Sequence, residues 1–215
     1  MYNVYLYLPE TLADWEIGHI TAELRSKRFF RADAPQVTLR AVGLTAESVL
    51  TMGGLRVVPD GTIDEIPITS ETVLLLPVAN TWNDPKHGTA VALAARLLGV
   101  GGTVCAICGA TVALANAGLL DYLYLGVRPH TSNGAGFLDA FCPSYKGQPF
   151  FVDAPSVSDG SLITAGATGA LMWTKQILER LDVFSPDTLR AWYDYFSTGE
   201  AQSFFALMQS LPSAR

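Results

Sequence analysis

Cysteine is scarce in this chain: Cys105, Cys108 and Cys142 are the only three among 215 residues. An odd, irregularly spaced set is no disulfide framework and reads as thiols in a reducing cytoplasm. Charge is scarce too, at 16% of residues with a net −6, and no Lys/Arg run occurs. That excludes the basic footprint of a nucleic-acid binder or of a protein drawn to an anionic membrane. No apolar run reaches the roughly 18 residues that span a bilayer. The start, Met1-Tyr2-Asn3, has no basic region before its apolar stretch and does not read as a signal peptide. No Gly-rich phosphate loop follows the first apolar stretch, and no cofactor is expected. Cys105 and Cys108 form a C-x-x-C, but no second Cys/His pair has zinc spacing, so no metal site is expected. Cys105 lies inside an apolar stretch and reads as a small buried hydrophobe.

What is present is apolar: 49% of the residues, enough for a real core in a single domain over 1–215. Low charge and ten Phe leave apolar surface for another subunit to cover, and a homo-oligomer is expected. Strands are expected at Val4–Leu8, Val37–Val42, Thr72–Leu76 and Thr103–Ile107, with a small hairpin over Val49–Val58 broken by Gly53-Gly54. Short strands at Phe150–Val152, Ser156–Ser158 and Leu162–Thr164 surround an Asp159-Gly160 turn. Helices are expected at Asp14–Arg28, Lys86–Leu98, Ala110–Ala117 (closed by Gly118) and Ala167–Leu181. Ser185-Pro186 opens another helix through Phe196, and a last one, Ala201–Ser210, stops before Pro212.

The central strands lack polar alternation, so both their faces are buried, and they alternate with helices. This is the pattern of an α/β fold, a parallel sheet with helices on both faces, here with a small β-hairpin appendage. Ligands of such folds bind beyond the carboxyl ends of the strands. Cys108 stands at one such end, between the run Thr103–Ile107 and the small residues Gly109 and Ala110. A sharp strand-to-helix turn lifts one side chain above the sheet and needs small neighbours, the geometry of a nucleophile elbow. The helix N-terminus beneath favours a thiolate, and the Gly109 N–H is placed to serve an oxyanion.

The segment "AICGATVALANAGLLD" resembles the cysteine elbow and following helix of the DJ-1/PfpI superfamily, also called class I glutamine amidotransferase-like. "DWEIG" resembles the segment carrying that family's glutamate, here Glu16. "VRPHTSN" resembles the segment carrying its histidine, here His130, and "SVSDGSLITAGATGA" its late hairpin and helix start. The "HTSN" and "NTW" variants are similar to the YdeA-like bacterial subgroup. The resemblance implies a flavodoxin-like sandwich and a homodimer. It also implies a site of Cys108 as nucleophile, Glu16 as proton donor or acceptor and His130 as a second base. Similar glyoxalase members use such a trio on 2-oxoaldehydes.

Two departures stand out. Many members named as proteases carry His directly after the nucleophile; here it is Gly109, so a Cys-His-Glu triad built on that residue cannot form. The family's usual Pro-Gly-Gly after the third strand is Pro77-Val78-Ala79 here, which crowds the second oxyanion N–H.

Each residue also has a plainer reading. Glu16 in a first helical turn can be a solvated carboxylate favourable to the helix dipole. His130 can simply satisfy a loop, and Trp82 can be packing rather than pocket. Asn80 and Thr111 join Val78, Ala79 and Trp82 as pocket candidates, and Asn133 qualifies by position alone. The functional expectation is a cytoplasmic cysteine-dependent enzyme acting on a small molecule by thiolate addition, hydrolase- or glyoxalase-like. The alternative is a protein without turnover that senses oxidation or binds a ligand through the same cysteine.

Overall fold

The computed structural model describes residues 1–121, 126 and 128–211. Its strands are β1 (Tyr2–Tyr7), β2 (Val37–Gly43), β3 (Val49–Leu50), β4 (Arg56–Val57), β5 (Gly61–Thr62), β6 (Thr72–Leu76), β7 (Thr103–Ile107), β8 (Ser156–Ser158) and β9 (Leu162–Ala165). Its helices are α1 (Asp14–Ser26), α2 (Gly88–Gly99), α3 (Gly109–Asn116), α4 (Phe137–Phe141), α5 (Ala170–Arg180), α6 (Pro186–Thr198) and α7 (Ala201–Gln209).

Seven strands form one sheet in the order β5-β2-β1-β6-β7-β9-β8, and β3 pairs with β4 as the separate hairpin. Every pair in the large sheet is parallel except β8 with β9. Successive side chains of a strand point to opposite faces. Val4, Leu6, Val73, Leu75, Cys105 and Ile107 therefore face one layer, with Ile20 and Leu24 of α1, Trp173 and Ile177 of α5, and Trp192 of α6. Tyr5, Tyr7, Leu74, Leu76, Val104 and Ala106 face the other, with Leu93 and Leu97 of α2 and Leu114 of α3. Each fully buried Leu or Ile contributes about 1.5–3 kcal/mol, which is why uninterrupted apolar strands end up central. This is the flavodoxin-like α/β sandwich expected from the sequence.

Local signals hold where a side chain can act within its own turn. Ser185 caps α6 by accepting from the Thr188 N–H at 3.1 Å, with Pro186 at the first helical position. Asp84 caps the short turn Pro85–His87 ahead of α2, so the helix expected from Lys86 begins as a tighter 3-10 turn. Helix α1 ends at Ser26 rather than Arg28, because Lys27 adopts φ 55° and closes it. The strand expected at Phe150–Val152 is instead a turn, Gln148–Phe150, followed by one isolated parallel bridge between His130 and Phe151. Pro149 in that turn has no N–H for a ladder. Val127 and Pro212 lie outside the described residues. Among the described residues no helix is long and apolar enough to cross a membrane.

Candidate active site

Cys108 ends β7 and caps α3 with φ 54° and ψ −120°. A side-chain-bearing residue in such a conformation costs about 1–3 kcal/mol and persists only when its surroundings fix it. Here they do. Its N–H donates to the Ala165 carbonyl of β9 at 2.9 Å, and its own carbonyl accepts from the Thr111 N–H at 3.0 Å. The Thr111 hydroxyl donates to the same carbonyl at 2.6 Å and lies 2.6 Å from the Ser132 hydroxyl. The elbow expected from the sequence is present. Thr111, expected to line a pocket, is instead fully buried and spent on holding the turn.

Glu16 is fully buried in the first turn of α1. Its Oε2 accepts from the Val78 N–H at 2.7 Å. Its Oε1 has no hydrogen-bond partner among the described residues. The entry to α1 is laced down on both sides. The Ala13 N–H donates to the Val78 carbonyl at 3.1 Å, the Thr11 N–H to Leu50 at 2.8 Å and the Met52 N–H to Leu12 at 2.9 Å. The Asp14 carboxylate accepts from the Gly53 N–H at 2.7 Å, tying the β3–β4 hairpin to the same turn. Burial pushes the Glu16 carboxyl up to about 7, against the pull of the Val78 N–H. A group poised there can both accept and release a proton near neutrality.

The Cys108 sulfur is half-buried and accepts from Asn133 Nδ2 at 3.3 Å. Burial raises its pKa, the Asn133 amide opposes that, charge on Glu16 raises it again, and the Gly109 N–H opposes. The thiol is thus not depressed, as a helix N-terminus alone would suggest, because desolvation and the neighbouring carboxylate outweigh the donors. Glu16 acts on the sulfur through charge, with no hydrogen bond between them. The Gly109 N–H serves the sulfur, and the Val78 N–H, expected at an oxyanion, serves Glu16.

Val78, Ala79 and Trp82 crowd the first turn of α3. A Cβ on Gly109 would lie 2.8 Å from Val78 Cγ2, 3.5 Å from Trp82 Cδ1 and 3.8 Å from the Ala79 carbonyl. The two departures from the family pattern are therefore one steric fact: the Val78 methyl takes the space a side chain after Cys108 would need. Trp82 is buried, donates from Nε1 to the Pro77 carbonyl at 2.8 Å and packs on Tyr7 and His87. It is a wall of the elbow rather than an exposed contact. Asn80 is exposed beside it, its N–H on the Thr11 hydroxyl at 3.0 Å.

His130 is fully buried and does not meet Cys108. Its Nδ1 donates to the Arg128 carbonyl at 2.6 Å, and its Nε2 accepts from the Tyr145 hydroxyl at 2.5 Å. Burial pushes its pKa down, keeping the ring neutral. Both nitrogens are spent on structure, so the expectation of a second base at the thiol is corrected. Asp159 is a turn residue, accepting from the Leu162 N–H at 2.7 Å and pairing with Arg128 at 2.8 Å. Asn133, a candidate by position alone, is the residue that meets the sulfur, and its place in the "HTSN" segment is the one sequence signal for it. Among the described residues no cluster of His, Cys, Asp and Glu could hold a metal ion.

The DJ-1/PfpI family model matches residues 2–180. The chain is 41% identical over 209 residues to the "Uncharacterized protease YoaZ" of Bacillus subtilis, covering 97% of each chain. It is 27% identical over 180 residues to the "Uncharacterized protease YdeA" of the same organism, covering 82% of each. The crystal structure of a thiJ/pfpI family protein from Bacillus anthracis superimposes with a TM-score of 0.92 at 39% identity, covering 98% of both chains. The DJ-1 superfamily protein Atu0886 of Agrobacterium tumefaciens does so at 0.77 and 27%, covering 93% of this chain and 99% of that one. With a strained thiol on the elbow, a buried carboxyl acting on it and this likeness along nearly the whole length, the chain belongs to the DJ-1/PfpI family.

Proposed function

We propose that the chain is a cysteine-dependent enzyme that adds the Cys108 thiolate to an electrophilic carbon of a small molecule. The observation that carries this is a half-exposed thiol on a strained turn, acted on through charge by the buried Glu16 carboxyl, whose Oε1 has no partner among the described residues. In a fold that leaves few buried polar atoms unpaired, an orphan oxygen there is a place for a proton or for a reacting group. Glu16 takes the thiol proton as sulfur attacks a carbonyl. The S–C bond forms, the carbonyl π electrons move to oxygen, and Glu16 returns the proton to that oxygen. An aldehyde gives a hemithioacetal, and an amide or ester gives a tetrahedral adduct that can expel its leaving group.

Relatives named as proteases favour hydrolysis, but Gly109 follows the thiol, so a base contributed by the adjacent residue is absent. Small carbonyl compounds are therefore the first substrates to test, with small amides and peptides beside them. The protein is incubated with methylglyoxal and with a panel of amides, and intact mass and product are followed for wild type, Cys108→Ala and Glu16→Gln. Turnover or a covalent adduct that requires Cys108 supports the proposal. Equal behaviour of wild type and Cys108→Ala on every compound refutes it.

A further inference from the structure

We propose that Asn133 is a catalytic residue of this site: its amide is a fixed donor to the Cys108 sulfur, in the place where a histidine base was expected. The proposal rests on the reading of Cys108 as nucleophile and deepens it.

An Asn amide can face a neighbour with either its oxygen or its nitrogen, and what binds the other end decides which. Here the Ala167 N–H, at the start of the turn leading into α5, donates to Asn133 Oδ1 at 2.8 Å. A backbone N–H can only donate, so the oxygen must lie there. That leaves the NH₂ facing Cys108 Sγ at 3.3 Å. The loop behind it is fixed as well. The Thr131 N–H donates to the Thr164 hydroxyl at 2.8 Å, and the Ser132 hydroxyl meets Thr111 at 2.6 Å. A Cβ on Gly166 would lie 2.7 Å from the Ser132 carbonyl, so this loop sits flush on the end of β9 only because Gly166 has none.

The charged and donor groups that act on the sulfur come from three elements. Glu16 of α1 opposes the thiolate, while the Gly109 N–H of α3 and the Asn133 amide favour it. The amide does not titrate, so it donates at every pH at which Glu16 changes charge. Asn133 is also exposed, at the edge of a cleft of about 440 Å³ that includes Gly134, Asp153, Pro155 and Thr168. A small molecule in that cleft meets the Asn133 amide, whose NH₂ lies 3.3 Å from the sulfur. When sulfur adds to a carbonyl, negative charge leaves it for an oxygen one bond further on. The same N–H is then released toward that oxygen.

Alkylation by iodoacetamide and thiolate absorbance are measured against pH on the free protein, with Cys108→Ser as the blank. The variants are Asn133→Ala and Asn133→Asp. Losing a donor to a charged sulfur is expected to slow alkylation at neutral pH about tenfold in Asn133→Ala. Asn133→Asp keeps an acceptor for the Ala167 N–H but sets a second carboxylate against the sulfur, and is expected to be slower still. A merely structural residue gives the opposite order, with Asp near wild type and Ala impaired. That order, or a Cys108 titration unchanged in both variants, overturns the proposal. If Asn133→Ala fails to fold, Asn133→Asp decides alone: a titration like wild type overturns the proposal and a raised one supports it. No substrate is used, so failure of the proposed turnover and failure of this assignment are read separately.

Discussion

Replacing Glu16 by Gln removes an ionisation that the fold opposes, and the effect is readable as stability against pH. The carboxyl is raised from 4.5 to about 7, chiefly by burial. A raised carboxyl holds its proton more tightly in the folded chain than in the unfolded one. Its contribution to stability is complete below the unfolded value, falls as pH rises toward the folded value, and stays lost above it. At 1.36 kcal/mol for each tenfold in proton affinity, the loss is about 3 kcal/mol. For a chain of this size that is roughly 6–12 °C in Tm. Gln keeps the shape and an oxygen for the Val78 N–H but has nothing to ionise. Thermal unfolding of both proteins from pH 4 to pH 8 is expected to show two curves that start close together. They separate between pH 4.5 and 7, with Glu16→Gln the more stable above neutrality. Curves that stay parallel across that window would mean that Glu16 ionises as freely folded as unfolded, and the orphan Oε1 would lose its meaning.

The same substitution removes the charge that raises the sulfur, so Cys108 in Glu16→Gln is expected to alkylate faster than wild type above pH 7; an unchanged rate would show the two groups to be uncoupled. In the native wild type, iodoacetamide followed by peptide mass mapping is expected to label Cys108 ahead of the buried Cys105 and Cys142. Gly109→Ala alone is expected to lose about 1–3 kcal/mol by overpacking against Val78, and Val78→Gly to recover part of that in the double variant. Additive losses in urea titrations would refute the steric coupling. His130→Phe is expected to lose about 1–3 kcal/mol, by stranding the Arg128 carbonyl and the Tyr145 hydroxyl, while leaving the Cys108 titration in place.

The sheet was legible because burial on both faces writes itself into β6 and β7 as unbroken apolar runs. The elbow was legible for a related reason: an apolar strand running into Cys-Gly-Ala has little room for another local geometry. Glu16 was legible only through resemblance. Taken alone, an acidic residue in a first helical turn looks like a complement to the helix dipole. What makes it unusual is the Val78 strand exit and the β3–β4 hairpin closing over the same turn, contacts from far along the chain. Which of its two readings His130 takes is not legible locally for the mirror-image reason, since its partner Tyr145 lies fifteen residues on and no local pattern announces it. Thr111 reads as a pocket hydroxyl only by its position shortly after Cys108. Its proton goes to the strained turn itself.

The contact between Val78 and the empty Cβ position of Gly109 also constrains the order in which this site can change. A side chain next to the thiol and a branched side chain at position 78 compete for one space, since a Cβ on Gly109 would lie 2.8 Å from Val78 Cγ2. A lineage moving toward a histidine beside the nucleophile must first shrink residue 78, a step that by itself leaves a gap over the elbow. Taken in the other order, the first step collides. The steric contact couples the two positions, and shrinking residue 78 first is the order that avoids the collision.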